Sequence, residues 1–383
     1  MRIVWNELKK LLHWKMMLVL LGVNGILFYF LIEFDITHFP NGRPELDEYR
    51  IGIEMIEAYG PNMEATDFDD FQLRYEQQKE EADVYIQGID ELQELGITTY
   101  ETFRNPGYEL AENEKYAEIN NEIYFEQGVD VFWEIQARSA LLDNGSHWID
   151  YLKLELAEGT SEQKQLIEGL IVEEQVPYYP AVVINNYNTF IKSVAMTVFL
   201  SLLIVQSPIF IREKAARTLP NLYTTKMGRP LFNKKLLAGF IASGIVTTLL
   251  LAVYFSIYSL NETSAYFPVS MRSFQYSESS LLWYDLTFLQ YIIWTVLGIY
   301  LIGLGVTCFS QAASALMPNY VSILGVHIPL VFVLNMAIPY LLIYVLTIRF
   351  PTWVGPSVYI LLLVISAALL FFTWKRERKR GIM

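Results

Sequence analysis

Apolar stretches free of Asp, Glu, Lys and Arg recur along the chain at residues 16–32, 193–211, 236–260, 286–348 and 354–372. An α-helix rises about 1.5 Å per residue, so roughly 20 residues cross the hydrocarbon core of a bilayer. The run 286–348 holds 63 residues, enough for two crossings, with the turn at Pro318 and Asn319 because proline cannot continue a helix. The pattern predicts six membrane-spanning helices. A charge at mid-bilayer costs about 2.5–3.5 kcal/mol, which explains why the runs are so clean; buried helices of a soluble protein are the alternative.

The fold class expected is an all-α polytopic membrane protein. Its segments are an amphipathic elbow helix (1–15), span 1 (16–34), a large domain (35–188), span 2 (189–211), a basic loop (212–235), span 3 (236–260) and a loop (261–285). Span 4 (286–308), a turn (309–318), span 5 (319–348), a turn (349–352), span 6 (353–373) and a tail (374–383) follow. The first run, 17 residues long, exceeds a usual signal-peptide core, and "LIEFDITHFP" after it offers no small-residue cleavage site, so it reads as a retained anchor. In the domain, "EYRIGIEMIEAY" and "EEADVYIQGIDELQEL" space apolar residues helically, whereas "RNPGYE" and "DNGSHW" read as turns.

The first residues, "RIVWNELKKLLHW", are amphipathic. Val4, Trp5, Leu8, Leu11 and Leu12 form one face, and Asn6, Glu7, Lys9, Lys10 and His13 the other. Such a helix lies in the membrane interface, its lysines drawn to anionic lipid, and bends at Trp14 and Lys15 into the first span.

Charge supplies the orientation. Residues 33–191 carry 35 acids and 9 bases; the remainder carries 6 acids and 19 bases. Those bases gather at the N-terminus (Arg2, Lys9, Lys10, Lys15), in 212–235 and in the tail "KRERKR", which six spans place on one side. The positive-inside rule makes that side the cytoplasm, with both termini inside and the acidic domain and loop 261–285 outside a bacterial plasma membrane. The net −26 of residues 33–191 suits either the capture of cationic molecules or simply a solvated, self-repelling surface.

Within the basic loop, Pro220 can open a short helix over "PNLYTTKM", Gly228 can end it, and Pro230 can open the third span. Leu222 and Tyr223 would be its apolar contacts, Lys226 and Arg229 its polar ones; an ordinary positive-inside loop is the alternative. "REKAARTLPNLYTTKMGRPLFNKKLLAG" resembles the loop after the second span in permease subunits of type-2 ABC transporters. An acid, a threonine–leucine pair, a "T-x-x-G-R"-like turn and a downstream lysine recur in that family. Here these are Glu213, Thr218 with Leu219, Thr225 to Gly228 with Arg229, and Lys235. Arg217 stands where glycine is common, and Pro220 where an acid often sits. "NELKKLL" is similar to the family's elbow helix (Trp5, Glu7, Leu8, Lys9, Lys10, Leu11, Leu12). The resemblance implies that 212–235 carries a coupling helix that docks on a separate cytosolic ATPase. It also implies a second permease subunit, identical or paralogous. It covers the membrane half and not the acidic domain, although some branches carry a large outer domain after the first span.

Other chemistry is sparse. No G-x-x-x-x-G-K-[ST], H-E-x-x-H or C-x-x-C occurs, so ATP and Mg are expected on the partner and no cofactor, catalytic residue, metal or nucleic acid is expected on this chain. Cys308 is the single cysteine and admits no intrachain disulfide, and His13, His38, His147 and His327 lie far apart. "DFDDF" lacks the spacing of a calcium loop, and Ser146 beside His147 reads as turn polarity. Inside the spans His327 is a candidate polar site, with a neutral, hydrogen-bonded histidine as the plainer reading. Pro329 and Pro339 could break the fifth span, while Ala238/Ala242 and Gly239/Ser243 permit close packing of the third. No cluster of polar catalytic residues is legible along the spans, which argues against an intramembrane enzyme. The expectation is an ATP-driven exporter's membrane subunit moving an amphipathic or apolar cargo (peptide, antibiotic or lipid). The alternative is a sensor or scaffold whose outer domain binds a ligand.

Overall fold

The computed structural model describes residues 2–173, 176–216, 228–275 and 281–380. Its helices are α1 (Arg2–Leu11), α2 (Trp14–Leu31), α3 (Glu33–Thr37), α4 (Glu45–Tyr59), α5 (Ala65–Gln87), α6 (Asp90–Glu94), α7 (Tyr100–Arg104), α8 (Gly107–Ala111) and α9 (Glu114–Asn121). They continue as α10 (Asp130–Glu158), α11 (Ser161–Val172), α12 (Val182–Gln206), α13 (Pro208–Ala215), α14 (Gly228–Tyr258), α15 (Phe288–Leu316), α16 (Tyr320–Leu342) and α17 (Val354–Arg380). Among the described residues there is no strand, only two isolated bridges. The chain divides into a unit of residues 1–37, 186–262 and 281–383 and a unit of residues 38–185 and 263–280.

The first unit is a polytopic membrane bundle. Among the described residues six helical stretches are long and apolar enough to cross a membrane: Trp14–Leu31, Val182–Ala215, Leu231–Asn261, Phe288–Leu316, Tyr320–Leu346 and Val354–Glu377. The second is the hub, with 72% of its most apolar window buried, against 11% for the first and 6% for the sixth. Most of α2 and α17 is therefore left uncovered by the rest of this chain. Because hydrocarbon gives no hydrophobic drive between helices, polar pairs and small residues hold the bundle together. Asn24 of α2 donates to Ser201 Oγ of α12 at 2.9 Å and accepts from Tyr254 OH of α14 at 3.0 Å, joining three spans. Ala238 and Ala242 are fully buried on α14. Near the start of α12, Tyr187 shares a hydrogen bond with Thr295 at 2.6 Å, and Phe190 stacks on Tyr258 at 4.4 Å.

The second unit is helical with its own core. Ile86, Leu92, Ile97, Tyr100, Phe103, Phe132 and Ile135 are fully buried, and Phe132 meets Phe103, Tyr85 and Tyr124 edge-on. The segment after α14 is part of this unit: Tyr179 N–H donates to Ser273 O at 2.9 Å, and Gln275 N–H to Tyr179 O at 2.7 Å. Tyr266 OH, donating to Tyr49 O at 2.8 Å, lies so near α4 that a Cβ on Gly52 would sit 2.1 Å from it.

Two local expectations are corrected. "DNGSHW" is not a turn: backbone 143–148 is helical within α10. Pro329 and Pro339 do not break the fifth span, since α16 runs through both. Their lost backbone bonds are tolerated because neighbouring helices and local adjustment re-satisfy freed groups in membranes.

Candidate functional site

The elbow helix sets one wall of the site. Val4, Glu7, Leu8 and Leu11 are buried at i, i+3, i+4 and i+7, and α1 packs on α14. The inner face is thus rotated from the one that apolarity alone suggested. Trp5 points outward, 56% exposed, with Lys9 Nζ 5.2 Å from its ring, while Glu7 turns inward and Leu12 is half-buried.

That rotation brings three predicted residues together. Lys235 Nζ lies 2.5 Å from Glu213 Oε1 and 3.7 Å from Glu7 Oε2, and donates to Ile209 O at 2.9 Å. Lys10 Nζ closes the chain on Glu7 Oε1 at 2.5 Å. Lys235 is 2% exposed and Glu7 7%. A charge withdrawn from water this far persists only when paired and hydrogen-bonded, and Lys235 has a carbonyl, two carboxylates and the Phe210 ring at 5.4 Å. The knot ties α1, α13 and α14 into one piece. Arg217, Thr218, Leu219, Leu222, Tyr223, Thr225 and Lys226, with the expected short helix, lie outside the described residues. Of Gly228 and Arg229 only the backbone is described; it opens α14, so the helix starts ahead of Pro230.

The second span breaks beside this knot. Pro208 lacks an N–H and stands at the first position of α13, so Ser207 becomes a one-residue hinge after α12. Ser314 of α15 repairs the break from outside: its Oγ donates to Ser207 O at 2.8 Å and accepts from Phe210 N–H at 3.1 Å. Lys214 then caps the end of α15, donating to the carbonyls of Ser314 at 3.1 Å, Met317 at 2.9 Å and Ala315. A cation there also meets the negative end of the helix dipole. α13 is therefore fastened to the end of the fourth span as firmly as it continues the second.

A polar seam runs inward from the hinge. His327 is 5% exposed, its Nε2 3.1 Å from Ser310 Oγ and its Nδ1 3.4 Å from Ser207 Oγ. Gln206 Nε2 donates to Gly239 O and Ser243 Oγ, both at 2.8 Å; Thr307 Oγ1 donates to Ser243 Oγ at 2.8 Å; and Gln311 Nε2 reaches Gln206 Oε1 at 3.3 Å. Uncharged polar residues thus cluster within the spans, a grouping the sequence reading did not pick out. The signal was Thr307, Ser310, Gln311 and Ser314 at i, i+3, i+4 and i+7, hidden because uncharged polar residues do not interrupt an apolar run. Among the described residues His327 Nδ1 faces Ser207 rather than the orienting carboxylate of a catalytic triad, and hydrogen bonds of this kind hold helices together in membranes. Among the described residues no group of three His, Cys, Asp or Glu could hold a metal ion.

At the opposite ends of the spans, Asp35 follows the first crossing. Its carbonyl accepts from Asn186 Nδ2 at 2.8 Å and Asn261 Nδ2 at 2.9 Å, and its Oδ2 is buried without a hydrogen-bond partner. Burial raises its pKa to about 6, partly opposed by attraction to Lys192. A native pKa above the unfolded value means that the folded state holds the proton more tightly. The ionised form is thus penalised above about pH 6, and the penalty fades as pH falls toward the unfolded value near 4. Asp35→Asn should stabilise the protein on the order of 1 kcal/mol at pH 7, a figure reduced for partial solvent access. That gain should vanish by pH 4.5, as read by thermal unfolding at the two pH values; an equal gain at both would remove Asp35 as its source.

No family model, curated protein or solved structure matches the chain.

Proposed function

We propose that the chain is the membrane subunit of an ATP-driven exporter, similar in plan to type-2 ABC permeases. The observation that carries this reading is the buried Glu7–Lys235–Glu213 knot. It joins the elbow helix to both ends of loop 212–235, so a force on that loop moves α1, α13 and α14 together. Through Lys214 and Ser314 the force also reaches α15, the fourth span. The positive-inside distribution supports a cytosolic location for this face in a bacterial plasma membrane, with both termini inside and the acidic domain 35–188 outside. There a P-loop ATPase would supply ATP and Mg, and a second permease subunit would complete the pathway. The charge-free runs at 16–32, 193–211, 236–260, 286–348 and 354–372 suit an amphipathic or apolar cargo such as a peptide, antibiotic or lipid.

Co-reconstitution with a candidate P-loop ATPase from the same organism tests this. ATP turnover should change when this chain is present, and Arg229→Glu should abolish that change and ATP-dependent transport while leaving membrane insertion intact. Turnover indifferent to this chain would favour the scaffold reading, in which the separately folded second unit binds a ligand.

A further inference from the structure

Beside the ion knot lies a pocket of about 200 Å³ lined by Glu7, Lys10, Leu11, Arg212, Glu213 and Lys235, with Pro208, Ile209 and Ala216 completing the wall. We propose that it binds the phosphodiester of an anionic phospholipid, with Arg212 as the principal contact and Lys10 at the rim.

Charge selects the ligand. Three bases face two acids, and both acids are spoken for: Glu213 by Lys235, and Glu7 by Lys10 and Lys235. Lys235 spends its donors on Ile209 O and the two carboxylates. Arg212 is exposed and has no ion-pair partner among the described residues. The net excess is one positive charge on a planar donor fork, which matches a phosphate's paired oxygens. Among the described lining residues no carboxylate is left over for a choline or ethanolamine cation. Size agrees with this: about 200 Å³ lies below the roughly 300–1,000 Å³ of pockets for whole drug-sized ligands. A phosphate with its glycerol fits this space. Leu11, Pro208 and Ile209 offer the apolar side that an acyl-linked ester needs and a free phosphate does not.

Position brings the lipid to the pocket. The lining comes from α1, the end of the second span and the start of the third, at the level where spans leave the hydrocarbon. Trp5 and Trp14, 56% and 68% exposed, mark that level, with lysines at 5.2 and 5.6 Å from their rings. Such aromatic belts sit among headgroups. The inference rests on the membrane fold and not on ATP-driven transport, so a chain that failed the turnover test would still bind.

The test is thermal unfolding of the purified chain in neutral detergent, titrated with short-chain phosphatidylglycerol, phosphatidylcholine of the same chain length, and inorganic phosphate. Phosphatidylglycerol should raise the midpoint saturably, phosphatidylcholine and inorganic phosphate should not, and Arg212→Gln should weaken the phosphatidylglycerol effect roughly tenfold. Lys15→Gln, which removes the same charge near Trp14 outside the pocket, should leave it within about twofold. An equal response to phosphatidylcholine, an equal response to inorganic phosphate, or equal weakening by Lys15→Gln would each overturn the assignment. The last outcome would mean diffuse attraction to the headgroup layer rather than a site.

Discussion

Lys235→Met should destabilise the bundle by about 3 kcal/mol, because it leaves the buried Glu7 and the half-buried Glu213 without their shared cation. The cost comes from stranding charges, not from losing an attractive pair. Removing the opposing carboxylate as well, in Lys235→Met with Glu213→Gln, should therefore recover a substantial part of the lost stability. The geometry makes a sharper demand of the charge swap. Glu213→Lys with Lys235→Glu restores one pair but places the new carboxylate next to Glu7, so rescue should be incomplete until Glu7→Gln is added. Thermal unfolding of the variants reads this directly, and a swap that rescues fully with Glu7 intact would show that Glu7 is not coupled to position 235.

Gly239→Ala should be nearly as damaging, although it adds one methyl group. A Cβ there would lie 2.2 Å from Gln311 Nε2, 2.6 Å from Gln206 Oε1 and 2.9 Å from Ile209 Cδ1. All three residues are buried, and Gln206 is anchored by Ser243 and by the carbonyl of Gly239 itself. Relief would require the two amides to part, and hydrocarbon offers no water to satisfy them afterwards. Overpacking costs about 1–3 kcal/mol and an unsatisfied buried amide about 1–3 kcal/mol, so a loss of about 3 kcal/mol is expected. Gly244→Ala on the same helix meets nothing within 4 Å and should be neutral within about 0.5 kcal/mol. Equal effects of the two substitutions on thermal unfolding in detergent would mean that the seam is not packed around Gly239.

The six spans were legible because length and freedom from charge are properties of the string itself. The knot was half legible. Glu213 and Lys235 flank the loop and Glu7 lies in the elbow, but which face α1 turns inward depends on what α14 presents. A buried ion pair there outweighed the exposure of Trp5. The seam of Gln206, Ser243, Thr307 and Gln311 was hidden because each partner sits on a different span and none carries charge. The residues around Asn144 and Gly145 are helical against their local turn preference, since α10 packs along α4, α5 and α11 and tertiary context overrides propensity. The interruption at Pro208 was missed because the proline lies inside an uncharged apolar run; Ser314 and Lys214, more than 100 residues on and 6 residues on, were not visible as its splints.

Everything proposed for the ion knot requires its face to be cytosolic. Cys308 is buried, so single cysteines placed at Lys9 and at Val172, which is 82% exposed, report orientation cleanly. A membrane-impermeant maleimide added to intact cells should modify position 172 at once and position 9 only after permeabilisation. Labelling of position 9 in intact cells, with position 172 protected, would contradict the account.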